Sequence, residues 1–319
     1  MESDDCYKKK CVGYLNSNKA KFVSQVKSLK TIQMPLASKK QALVKLFKNY
    51  NKSNLLIKTQ YKKFIKKPPA LPAPTFSKKA FLIGCNYTGT AYELNGCIND
   101  VETVNERLIS RGFTTKLMTD KTSIKPTHSN LLTQLARFFN SAKGGDTLFL
   151  MFSGHGTQLK DKNRDETDGK DEAIVSLDLK SITDDVLRQL INTYLRPDVT
   201  LIALFDSCHS ATILDLKYKY LDSLKNNNDT VDPLQRDSKS NIMLISGCLD
   251  AQVSLDTNIN NIYHGALTWS LIETLKLNDN ISWRNLVKQM RNFLAHQNNK
   301  QIPQISCGRP TSIDSIVFI

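Results

Sequence analysis

The chain has 319 residues and a mass of 36.0 kDa, enough to bury a sizeable core as one large domain with an extension or as two small domains. A hydrophobic fraction of 40% and a charged fraction of 23% are ordinary for a globular protein and exclude a chain disordered throughout. The formal net charge of +14 raises the question of a polyanionic partner, which depends on where the charge lies.

The excess is confined to the N-terminus. Residues 1–79 hold 19 lysines, no arginine and three acids, a net +16, whereas residues 80–319 come to −2. Aromatic stacking residues are sparse among these lysines and no recognition motif accompanies them, so the segment reads as a solvated, partly helical extension and not as a nucleic-acid binder. The start of the chain is polar and lacks a signal-peptide core, and no apolar run approaches the ~18 residues of a membrane span. An intracellular, cytoplasmic protein is therefore expected. Seven cysteines, an odd number, then point to reduced thiols, and Cys6 and Cys11 read as ordinary thiols because no second pair lies near enough for a zinc module. Periodicity predicts a helix from about Ser38 to Lys66, with Leu43, Leu46, Phe47, Tyr50, Leu56, Tyr61 and Phe64 available to one face. Pro68, Pro69, Pro72 and Pro74 end it and form a stiff connector. The expected division is a basic extension with its linker, 1–77, and a main domain, 78–319.

Beyond the connector, strand and helix patterns alternate. Ala80–Cys85, Thr147–Ser153, Thr200–Asp206 and Asn241–Gly247 are short apolar runs of the kind buried on both faces of a parallel sheet. Helical spacing occupies Asn99–Arg111, Thr127–Ala142, Thr183–Tyr194, Ala266–Leu275 and Trp283–Ala295. The expectation is an α/β three-layer sandwich with a mainly parallel central sheet, whose chemistry collects at the carboxyl ends of the strands.

Two strand ends carry reactive groups. Leu148–Phe152 runs into Ser153-Gly154-His155-Gly156, and Leu201–Phe205 runs into Asp206-Ser207-Cys208-His209-Ser210. A cysteine nucleophile needs a base nearby, and imidazole suits both proton acceptance and proton return near neutrality. His155 can serve Cys208 if the two strands are neighbours. His209, adjacent to the nucleophile in sequence, is the weaker candidate base. The backbone N–H groups of Gly156 and Cys208 are candidate oxyanion donors. An isolated Cys and His would more often be packing residues; their shared position just beyond apolar strands favours chemistry.

Five ordered segments, Lys79–Tyr87 (KAFLIGCNY), Leu94–Asp100 (LNGCIND), Phe152–Gly156 (FSGHG), Asp206–Ser210 (DSCHS) and Ile245–Cys248 (ISGC), resemble those of the metacaspases, caspase-fold peptidases of clan C14. The resemblance covers about residues 78–319 and is closer to the type I arrangement. It implies a caspase-like fold with a large-subunit-like part (78–216), a processing loop (217–240) and a small-subunit-like part (241–319). It further implies a Cys208–His155 dyad and cleavage of protein or peptide substrates after Arg or Lys, with Cys97, Asp100, Ser153 and Asp206 lining the pocket. Carboxylates in a partly desolvated cleft suit a basic side chain, although Asp100 is also what a helix start favours.

The stretch from Asp161 to Glu172 concentrates acids, yet Glu166 replaces the turn glycine of an EF-hand and the segment before it is a strand end, which excludes that motif. By resemblance, Asp171, Asp184, Asp185 and Asp215 form an activating Ca²⁺ site; Asp184 and Asp185 could equally be a helix-start pair. Ala211 departs from the family, which usually has glycine there, and keeps open the alternative of a catalytically weak caspase-fold regulatory or binding protein. Self-processing is expected at Lys66 or Lys67, or within 217–240 at Lys225, Arg236 or Lys239, with the lysine-rich arm occupying the acidic cleft in cis. A monomer is expected.

Overall fold

The computed structural model describes residues 4–64, 76–161, 169–222, 228–248, 257–259 and 262–319. The chain divides into two compact units, 1–75 and 76–319.

The first unit is a helical hairpin of α1 (Asp4–Thr31) and α2 (Leu36–Phe64). Helix α1 goes beyond the sequence reading, which places a helix only from about Ser38. Its seam of Cys11, Leu15, Asn18, Phe22, Val26 and Leu29 is masked by intervening lysines, but the spacing of three and four residues sets these side chains on one face. The matching seam of α2 is Ala42, Leu46, Tyr50, Asn54 and Ile57, while Leu43, Phe47 and Leu56 remain exposed. Phe22 stacks on Tyr50 at 4.6 Å between centroids, and Asn18 donates to Asn54 at 2.7 Å. Tyr61 and Phe64 lie outside the residues whose side chains are described.

The second unit runs β1 (Lys78–Gly84), α3 (Cys97–Ser110), β2 (Thr114–Thr119), α4 (His128–Asn140), β3 (Thr147–Ser153), β4 (Gly156–Lys160), β5 (Lys170–Val175), β6 (Ser181–Thr183) and α5 (Asp184–Tyr194). It continues through β7 (Thr200–Asp206), β8 (Tyr218–Asp222), β9 (Asn228–Val231), β10 (Asn241–Cys248), β11 (Thr257–Ile259), β12 (Ile262–His264), α6 (Ala266–Leu277), α7 (Trp283–His296) and β13 (Ile302–Cys307). The central sheet has the order β2-β1-β3-β7-β10-β13-β8-β9. Its first five strands are parallel, and β13, β8 and β9 extend it antiparallel.

Alternation along the strands builds two apolar layers. In β1, Ala80 and Leu82 join the layer under α3, α6 and α7, whereas Phe81 and Ile83 join the layer under α4 and α5. This is the α/β three-layer sandwich with a mainly parallel sheet.

The stretch 217–240, read from sequence as a polar loop, instead contributes β8 and β9 to the sheet edge. Tyr218 and Tyr220 alternate with polar residues and pack against the core, a period-two pattern that the abundant charges obscured. Lys217 pairs with Asp237 at 2.9 Å, and the backbone carbonyls of Arg236 and Lys239 accept from Arg188 and Arg309. Lys66, Lys67 and Lys225 lie outside the described residues. Among the described residues, no helix is long and apolar enough to cross a membrane.

Candidate active site

Strands β3 and β7 pair in parallel with Ser153 opposite Asp206. His155 and Cys208, each two residues further on, therefore leave the sheet edge side by side. Gly154 N–H donates to the Asp206 carbonyl at 3.3 Å. A Cβ on Gly156 would lie 2.9 Å from the carbonyl carbon of Cys208 and 3.3 Å from its nitrogen. The His155-Gly156 turn is thus in backbone contact with the Cys208 turn, and both reactive side chains are half-buried.

The loop after β1 orients the histidine. Tyr87, fully buried with φ 52°, sets its ring tilted beside the imidazole at 4.8 Å between centroids. Its hydroxyl accepts from His155 N–H at 2.9 Å and donates to Val175 O at 2.6 Å. His155 Nε2 lies 2.8 Å from the Tyr92 carbonyl oxygen. A carbonyl only accepts, so Nε2 carries the proton and Nδ1 is left as the basic nitrogen. The strained φ of Tyr87 is held by this double engagement of its hydroxyl.

Cys97, Asp100, Ser153 and Asp206 are all buried around the same strand ends. Cys97 opens α3, with its carbonyl against Gly84; its thiol is unbridged, like those of Cys11, Cys85, Cys208 and Cys307. Asp100 sits in the first turn of α3, but its carboxylate accepts from Ser153 Oγ at 2.8 Å and from Gly265 N–H at 3.0 Å. His264 Nδ1 approaches it at 3.4 Å. Burial pushes the Asp100 carboxyl above its ordinary range, against the opposing pull of His264, Ser153 and Gly265. Asp206 Oδ2 accepts from Thr268 N–H at 2.8 Å and Thr268 Oγ1 at 2.7 Å. The two carboxylates converge on Gly265, where an added Cβ would meet Asp206 Cγ at 2.7 Å and Asp100 Oδ2 at 2.8 Å.

A second acidic cluster lies at β5 and the start of α5. One carboxylate oxygen from each of Asp171, Asp184 and Asp185 can be taken within 4.8 Å of the others. Asp215 falls outside that trio, yet it acts on Asp184. Burial first, and then the Asp215 charge, push the Asp184 carboxyl up to about 8. Asp184 accepts from Glu172 N–H and Asp185 N–H, each at 2.7 Å, and the helix start itself is capped by Thr183. Glu172 is buried beside them and accepts from Thr212 and Gln158. Crowded, buried carboxylates repel one another, and an all-oxygen donor set fits a hard divalent cation better than zinc. Within the acidic stretch before Lys170, residues 162–168 lie outside the described residues.

A family model described as "Metacaspase, peptidase C14 domain" matches residues 78–217. Metacaspase-1 of Schizosaccharomyces pombe is 32% identical over 292 residues, covering 74% of this chain and 68% of that protein. Metacaspase-2 of Trypanosoma brucei brucei is 32% identical over 269 residues, covering 77% of each. The chain belongs to the metacaspase family. A crystal structure of protein GSU0716 from Geobacter sulfurreducens aligns with a TM-score of 0.57 at 26% identity, covering 76% of this chain and 97% of that one.

As a metacaspase the chain is a cysteine-type endopeptidase, and its structure bears on the Ala211 departure. Positive φ falls on His209 (52°) and Asp215 (47°), not on Ala211. The backbone at 211 does not demand glycine, so this departure introduces no strain in the turn. Sequence reasoning missed Tyr87, the Tyr92 carbonyl, Gly265 and Thr268. Tyr87 stood within the first family-like segment, where its aromatic type gave no hint of a polar role. Gly265 and Thr268 were hidden because their contacts with Asp100 and Asp206 arise where α6 begins over a distant strand end.

Proposed function

We propose that this metacaspase is a calcium-activated endopeptidase cleaving protein substrates after Arg or Lys. The convergence of the buried Asp100 and Asp206 carboxylates on Gly265 carries the specificity, because such a pair demands a cationic side chain. His155 Nδ1 takes the proton from Cys208 Sγ as the sulfur attacks the scissile carbonyl carbon. The N–H groups of Gly156 and Cys208 receive the oxyanion. His155 then returns the proton to the departing amine, and water, deprotonated by the same imidazole, hydrolyses the thioester.

Asp171, Asp184 and Asp185, with Asp215 alongside, would hold Ca²⁺, whose positive charge would relieve their repulsion and order the start of α5. Self-processing follows from the same specificity, with Arg236 and Lys239 as cleavage points in the described part of the chain and Lys66, Lys67 and Lys225 outside it. The test is hydrolysis of fluorogenic Arg, Lys and Asp peptides with and without Ca²⁺. Activity should require Cys208 and Ca²⁺ and favour the basic peptides. Turnover surviving in Cys208→Ala removes the nucleophile, and preference for Asp removes the pocket. A wild-type band that stays intact on a gel after Ca²⁺ addition removes self-processing.

A further inference from the structure

We propose that Gly265 and Thr268 complete the basic-residue pocket, Gly265 as a specificity-determining residue whose lack of a side chain lets Asp100 and Asp206 converge, and Thr268 as a positioning residue that aims Asp206. The inference rests on reading those two aspartates as the pocket's carboxylates.

Gly265 has φ −65° and ψ 137°, a conformation open to any residue, so its conformational freedom is not what the site uses. Space is. A Cβ at this position would meet Asp206 Cγ at 2.7 Å and Asp100 Oδ2 at 2.8 Å, both inside ordinary contact. Neither carboxylate can readily give way. Asp206 ends a buried strand and is held twice by Thr268, and Asp100 is held by Ser153 and by the N–H of Gly265 itself. The first residues of α6 therefore do two things: they supply N–H donors and a favourable dipole to two buried carboxyl groups, and by carrying no side chain at 265 they let both groups lie against one point of the backbone.

Arginine and lysine should respond differently to a loosened Asp206. A guanidinium is a planar fork that needs its acceptors at set positions, whereas an ammonium is a compact charge with rotatable donors. Removing the Thr268 hydroxyl leaves Asp206 buried but less firmly aimed. Recognition of arginine should suffer more than recognition of lysine.

The experiment measures kcat and KM separately on matched Arg, Lys and Asp peptides with Ca²⁺, using the full chain as wild type, Thr268→Val, Thr268→Ser and Gly265→Ala. Thr268→Val should raise KM for the Arg peptide by roughly tenfold and for the Lys peptide by no more than about threefold, with kcat changed less than about twofold, as expected for lost substrate binding. Thr268→Ser should restore the wild-type Arg-to-Lys ratio. Gly265→Ala should cut kcat/KM for both basic peptides at least about a hundredfold while circular dichroism stays that of a folded chain. An unchanged Arg-to-Lys ratio in Thr268→Val, or a folded Gly265→Ala with wild-type kcat/KM, overturns the inference. Should Gly265→Ala fail to fold, the Thr268 pair decides. A wild type that prefers Asp to both basic peptides defeats the pocket reading itself, an outcome visible before any variant is made.

Discussion

The Cα of Gly156 rests against the backbone of Cys208, so closely that any side chain at 156 would overlap the Cys208 carbonyl group. This contact follows from the pairing of Ser153 with Asp206 across β3 and β7, and it makes position 156 intolerant of even a methyl group. Gly156→Ala should lower kcat about a hundredfold or more, the magnitude of losing an oxyanion donor. Circular dichroism and a fluorogenic Arg peptide, measured together, separate displacement of the turn from unfolding. Activity within threefold of wild type would show that the turn yields without harm.

Tyr87 joins the two halves of the histidine's support. Tyr87→Phe keeps the ring beside His155 but strips N–H of His155 and the carbonyl of Val175 of their shared hydroxyl partner. The expected cost is about 1–3 kcal/mol of stability for buried groups left unpaired, with a fall in kcat larger than any change in KM. Denaturant unfolding and steady-state kinetics check the two effects. If kcat is unchanged while stability falls, Tyr87 serves only the fold.

Calcium should stabilise the folded chain through the acidic cluster. Addition of Ca²⁺ should raise the melting temperature in thermal-shift measurements, by mass action on the native state. Asp184→Asn and Asp185→Asn should abolish that rise. Mg²⁺ should be a poorer substitute, because its smaller and stricter octahedral shell suits a flexible carboxylate cluster less well. An equal shift in Asp184→Asn would move the binding site elsewhere.

Asp146 gives the domain an acid-sensitive tie between the start of β1 and the start of β3. Burial alone would raise its carboxyl, but N–H groups of Lys143 and Ser77 and the Lys79 ammonium hold it down to about 2. Its distances to these groups are 2.9, 2.7 and 3.6 Å. The folded value lies below the unfolded one near 3.9, so the folded chain binds fewer protons between them. The stabilisation is full above pH ~4 and is lost as pH falls towards ~2. Asp146→Asn should cost about 2–3 kcal/mol at pH 7 and flatten the loss between pH ~4 and ~2, as read from denaturant unfolding across pH. A variant whose acid profile matches wild type would rule out this assignment.

What the sequence determined by itself is what local pattern and residue chemistry can carry. The apolar runs Ala80–Cys85, Thr147–Ser153, Thr200–Asp206 and Asn241–Gly247 are buried on both faces, and their unbroken hydrophobicity announces a parallel sheet whatever their neighbours. The position of His155 and Cys208 was legible for the same reason, since each follows such a run at the carboxyl edge of the sheet. The tertiary structure alone decided which strands are adjacent, and so whether His155 and Cys208 meet, because strand order is set by packing between segments far apart in sequence. It also decided that the charged stretch after Lys217 joins the sheet as β8 and β9, where two tyrosines bury themselves against a core assembled elsewhere. The Tyr92 carbonyl at His155 and the α6 N-terminus at Asp100 and Asp206 belong to the same class. They act through backbone groups brought close by folding, which have no residue type to read and take up their positions only when the chain is folded.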